Sequence, residues 1–113
     1  MADRRPARVA QRVQAELAHL LLHDVRDPRL HEVIVSDVRM TADLRVARVY
    51  VRSLAPVADP PGVSDALGRA APFLRARLGE RLKMRYVPEL RFEYDDLQDD
   101  ARRLEELLRD DEG

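Results

Sequence analysis

His19 and His23 stand four residues apart, a spacing that sets two imidazoles on one face of a helix and could begin a metal site. No third ligand accompanies them, and Asp24 and Asp27 fall where a helix end and a turn would use their carboxylates. Asp95, Asp96, Asp99 and Asp100 make a second cluster, but no glycine marks a calcium-type loop there. The cluster lies where a strand would pass into a helix, and acids at such a junction cap and complement the helix dipole. Cysteine is absent, which excludes a disulfide framework, a thiolate nucleophile and a cysteine-bound metal. No phosphate-cradling glycine loop and no GxSxG motif occurs. The expectation is a protein with no catalytic residues, no metal, no cofactor and no small-molecule substrate.

What remains is charge. Residues 1–94 carry 17 Lys and Arg against 12 Asp and Glu, while residues 95–113 carry 3 against 9. A basic body with an acidic tail suits a polyanion-binding surface and a solvated end. A pI near 6.3 falls short of a typical nucleic-acid binder, so composition alone also allows ordinary charge scatter. The 113 residues make one domain with a small core and no second lobe to close over a substrate. No apolar run approaches the roughly 20 residues of a membrane span, and MADRRPARVAQ lacks the apolar core of a signal peptide. A cytoplasmic protein is expected.

The elements that must position these charges can be placed by periodicity. Val9, Val13, Leu17, Leu20 and Leu21 make one stripe of a helix from about Arg5 to Val25, closed by Asp27-Pro28. Arg4, Arg5, Arg8 and Arg12 oppose the dipole of that helix; they are either solvated or set to hold phosphate. Glu32–Thr41 and Leu44–Leu54 alternate as two strands joined at Ala42-Asp43, an antiparallel hairpin. Ala47, Val49 and Val51 should face the core. Arg48, Tyr50 and Arg52 then share the other face, as a cationic strip for RNA or as a plain polar surface.

Ser64 is a candidate cap for a helix from Asp65 to about Ala71, and Pro72 should break or kink it. A second, basic helix then runs to about Lys83, with Phe73, Leu74, Leu78 and Leu82 inward. Glu89–Asp95 reads as a strand, and Leu104, Leu107 and Leu108 suggest an acidic final helix or tail. The expected units are a domain over residues 1–95 and an acidic helix or tail over 96–113. The order α-β-β-α-α-β is an α+β sandwich of the type II KH kind. The GxxG loop of an ordinary KH domain is missing, since Gly62, Gly68, Gly79 and Gly113 are never three apart.

Along nearly its whole length the chain resembles the ribosome-binding factor A family. The resemblance rests on Arg8-Val9, Asp27-Pro28-Arg29, Val38, Asp43-Leu44, Ala47 and Val49-Tyr50-Val51. It is densest over Phe73-Leu74-Arg75, Leu78, Leu82, Arg85, Val87-Pro88-Glu89-Leu90, Phe92 and Tyr94-Asp95, and Leu107-Leu108 also fits. The family replaces the GxxG loop with an Ala-x-Gly helix kink; here Ala70-Ala71-Pro72 stand in its place, with proline where glycine is expected.

The resemblance implies a bacterial ribosome-assembly factor that binds the free 30S subunit and its 16S rRNA late in maturation. It implies help with 5′-end processing, a role in cold adaptation, and action by binding rather than catalysis. A monomer with no membrane partner is expected. The RNA-binding residues so implied are first Arg75, Arg77, Arg81, Lys83 and Arg85, then Arg45, Arg48 and Arg52, then Arg26 and Arg29. Arg75→Glu with Arg81→Glu should weaken subunit binding and leave the fold intact. Two other readings stay open: a KH-like module for another RNA, and a protein-interaction domain using its sheet edge or the Leu104–Leu108 face.

Overall fold

The computed structural model describes residues 4–54 and 62–95. Helix α1 spans Arg5–His23 and is followed by a 3-10 turn, Pro28–Glu32. Strands β1 (Val33–Met40) and β2 (Val46–Ser53) form the hairpin, α2 spans Val63–Leu82, and β3 is Glu89–Tyr94. The sheet order is β1-β2-β3, with β1 antiparallel and β3 parallel to β2. A parallel neighbour requires a crossover, and α2 supplies it. Both helices cover one sheet face, which makes the two-layer, KH-like α+β fold expected from the order of elements. The tail over residues 96–113 lies outside the described residues.

The core is one cluster. Val13, Leu17, Leu20 and Leu21 of α1 meet Ala47, Val49 and Val51 of β2 and Val63, Leu67, Leu74 and Leu78 of α2. The stripe on α1 and the inward face of β2 are as the periodicity predicts. On β1 the alternation fails midway. A bulge between Val35 and Asp37 inserts one residue, so Val33 and Val35 face the core before it and Val38 after it, while Ile34 is exposed.

The main departure is at Pro72. Two helices are expected around it, yet α2 continues from Val63 to Leu82 with the proline inside. The energetics decide for continuity. An interior proline costs ~3 kcal/mol, whereas Val63 and Leu67 on one side and Leu74 and Leu78 on the other are all buried, each contributing ~1.5–3 kcal/mol. Both halves are held down by the core, and the lost bond falls at an exposed position. Phe73 is exposed rather than inward. The helix also starts earlier than Ser64 would place it. Gly62 is the cap, at φ +83°, and a Cβ there would collide with the Arg29 guanidinium.

Candidate nucleic-acid interface

Helices α1 and α2 run antiparallel, so the start of α1 lies beside the end of α2. Arg81 of α2 pairs with Glu16 of α1 at 2.6 Å, and Arg12 reaches the Leu82 carbonyl oxygen at 3.4 Å. The hairpin turn arrives at the same end. Its form comes from Asp43, whose Oδ1 accepts from Thr41 Oγ1 at 2.7 Å and from the Arg45 N–H at 3.1 Å. Those bonds, the Thr41 one first, hold the Asp43 carboxyl below its usual range. The Glu89 N–H then bonds the Arg45 carbonyl oxygen at 2.8 Å, which ties the entry of β3 to the hairpin.

Between these elements lies an open groove of about 780 Å³. Its floor is partly apolar, with Val9, Met40, Leu82 and Val87. Arg12, Arg45, Arg75, Lys83 and Arg85 line it against two carboxylates, Asp43 and Glu89. The connection from α2 to β3 forms one wall and is well anchored. Lys83 caps α2 at φ 53°, and both its N–H and that of Met84 bond the Gly79 carbonyl oxygen. Gly79 lets the connection close in, since a Cβ there would lie 2.8 Å from Val87 Cγ2. Arg75 donates to the Val87 and Pro88 carbonyl oxygens at 3.1 and 3.0 Å.

Of the ten cations implied by the family resemblance, four meet in this groove: Arg45, Arg75, Lys83 and Arg85. Arg77 and Arg81 lie on α2 outside its lining. Arg77 pairs with Glu80 at 3.5 Å and covers the Phe73 ring at 5.4 Å. Arg48 is exposed on the outer sheet face. Tyr50 is buried there, with the Arg39 guanidinium 5.8 Å from its ring centre. Arg52 pairs with Asp95 at 3.1 Å, and Ser36 from the bulge donates to the same carboxylate at 2.9 Å. Asp95 thus latches the end of β3.

Arg26 and Arg29 sit at the far end of the helix pair. Arg29 grips Asp27 through both carboxylate oxygens, at 3.0 and 2.7 Å. That side-chain bond, with the Arg29 backbone N–H, holds the Asp27 carboxyl down at about 2. Arg26 lines a smaller hollow of about 460 Å³ with Arg69, Ala70 and Phe73. Ala70, of the expected kink, therefore faces a different hollow from the main cationic groove.

Two groove residues lie outside the set that the resemblance implies. Arg12 was visible only as a helix-start arginine. Tyr86 was hidden because it belongs to no period; its signal is an aromatic in an irregular link, between Arg85 and Pro88. The His19 and His23 rings lie 4.7 Å apart, and no group of three or more His, Cys, Asp or Glu that could hold a metal occurs among the described residues. Asp96, Asp99 and Asp100 lie outside those residues. No helix among the described residues is long and apolar enough to cross a membrane.

Comparison with known proteins gives one consistent result. The family model described as ribosome-binding factor A matches residues 5–108. The chain is 43% identical over 109 residues to ribosome-binding factor A of Saccharopolyspora erythraea, covering 96% of this chain and 66% of that protein. It is 34% identical over 110 residues to the Staphylococcus carnosus protein of that name, covering 97% and 96%. The crystal structure of ribosome-binding factor A from Thermus thermophilus superposes with a TM-score of 0.69 at 32% identity, covering 79% of this chain and 94% of that one. A homology model of the Thermus thermophilus factor, fitted into the cryo-EM map of a 30S complex with it, superposes with a TM-score of 0.64. Its identity is 33%, over 74% of this chain and 88% of that one.

Proposed function

This chain belongs to the ribosome-binding factor A family, and from that premise we propose that it binds the free small ribosomal subunit by its 16S rRNA. The observation that carries the reading is the convergence of Arg12, Arg45, Arg75, Lys83 and Arg85 from four separate parts of the fold on one groove. The relative fitted into a 30S complex supports the choice of partner. Cations gathered this way neutralise phosphates and release counterions. Arg45, Lys83 and Arg85 are the phosphate contacts at the groove; Arg77 and Arg81 on α2 extend the field beside it. Arg75 acts chiefly by holding the wall. Arg48, Arg52, Arg26 and Arg29 lie off this surface and contribute less.

The action is binding, with no chemical step. A ligand shifts an RNA equilibrium only by its differential affinity for the two conformations. Preference for the late, unjoined subunit would favour 5′-end processing, and the need for it would be greatest in the cold. The protein acts in the cytoplasm as a monomer, with no cofactor.

Cosedimentation tests this. The protein should travel with free small subunits, weakly with joined ribosomes, and its binding should fall steeply with salt. Equal binding to both particles would remove the assembly role; a flat salt response would remove the phosphate contacts.

A further inference from the structure

Tyr86 is 79% exposed, the most exposed large hydrophobic side chain among the described residues. It lines the cationic groove, and nothing in the core calls for it there. The backbone that carries it is fixed on both sides. The Lys83 and Met84 N–H groups bond Gly79, Arg75 holds the Val87 and Pro88 carbonyls, and Pro88 is buried. An exposed aromatic on a fixed support loses little freedom when a flat ligand settles on it. The Arg85 guanidinium lies 5.6 Å from the ring centre, and Arg45, Arg12 and Lys83 line the same groove.

We propose that Tyr86 is a stacking platform for one unpaired nucleobase, while Arg45, Lys83 and Arg85 hold the flanking phosphates. A ring flanked by cations suits a single strand, whose bases offer free faces. A duplex buries those faces in its own stack, so it would meet only the cations. The proposal rests on the RNA-binding reading above and sharpens it: the groove takes a single-stranded segment, not a helix.

The test uses the full chain and two probes, a uridine oligomer of about ten nucleotides and an RNA duplex of the same length. Tyr86→Phe should keep single-strand affinity, because the ring remains. Tyr86→Ala and Tyr86→Leu should both lose roughly tenfold on the single strand and nothing on the duplex. The Tyr86 ring protons should shift upfield on the single strand only. Equal single-strand affinity for Tyr86→Leu and the wild type would overturn the proposal, as would equal losses on both probes or a wild type that ignores the oligomer. Loss of subunit binding by Tyr86→Ala without loss on the oligomer would also overturn it, and would assign the residue to a protein contact. Failure of the wild type to sediment with small subunits is a separate result and bears on the ribosomal reading alone.

Discussion

Arg75 on α2 donates from Nε to the carbonyl oxygen of Pro88 at 3.0 Å, and from the same guanidinium to Val87 at 3.1 Å. A cation that sequence alone assigns to RNA is therefore also a fastener between helix and strand. Removing it leaves two carbonyls short of a charged donor. Such bonds contribute ~1.5–3 kcal/mol when well shielded. One of the two here is exposed, so about 1–2 kcal/mol is expected after screening.

Arg75→Ala should accordingly lower the melting temperature, by about 4–8 °C for each kcal/mol in a domain of this size. The double reversal Arg75→Glu with Arg81→Glu should lower it further, because Arg81 also ties α2 to Glu16 at 2.6 Å. The structure thus adds a stability cost to a pair of substitutions that the sequence alone expects to leave the fold intact. Thermal denaturation by circular dichroism decides; a wild-type midpoint for the double variant would show that neither contact forms in solution.

Lys83 gives a case where stability and binding should separate. Its backbone sits at φ 53°, ψ 45°, a conformation that costs a side-chain-bearing residue ~1–2 kcal/mol. Lys83→Gly should relieve most of that and raise the melting temperature by a few degrees. It should also weaken RNA binding, because the groove loses a cation. If Lys83 contacts one phosphate, the slope of log K against log salt should shrink by roughly 0.7–0.9. Lys83→Gln should reproduce the binding loss without the gain in stability. An unchanged slope in both would remove Lys83 from the phosphate contacts.

Pro72 interrupts one bond of an otherwise continuous α2, at an exposed position. Pro72→Ala restores an N–H able to bond the Gly68 carbonyl oxygen. The helix should gain stability, by at most the ~3 kcal/mol that an interior proline costs. The check is the denaturant midpoint at constant m-value. A lower midpoint would mean that the surrounding core is shaped to a proline bend.

Much of this fold is legible without coordinates. The stripe Val13, Leu17, Leu20, Leu21 and the alternation Ala47, Val49, Val51 each have one period and one buried face, so pattern and packing agree. The reading fails where a tertiary contact outranks a local rule. Proline forecasts a break at residue 72, but buried leucines on both sides hold the helix together. Strict alternation would put Val33 and Val35 on the face opposite Val38; the bulge brings all three to the core side and frees Ser36 to latch Asp95. The candidate site is less legible than the fold. Charge type is visible in sequence, but whether a guanidinium is spent on a partner is not. Arg52, Arg75 and Arg81 have partners far along the chain, at Asp95, Pro88 and Glu16, whereas Arg29 pairs with its near neighbour Asp27.

That last pair makes the pH dependence specific. Arg29 donates to both oxygens of Asp27, and the carboxyl is held at about 2 instead of 3.8. A lowered folded-state value means the unfolded chain binds the proton more readily. The stabilisation from this pair is therefore complete above about pH 4 and is lost as pH falls through the folded value near 2. A titration of the Asp27 side-chain carboxyl carbon by NMR should give that low midpoint in the wild type. Arg29→Gln removes the charge and the paired donor, so the midpoint should rise toward 3.8 and the acid edge of stability should move up with it. The effect should not extend to RNA binding at neutral pH, since Arg29 lies at the far end of the helix pair from the groove. A wild-type midpoint already near 3.8 would show that the pair does not persist in solution, and a large binding loss in Arg29→Gln would place this end of the molecule on the RNA after all.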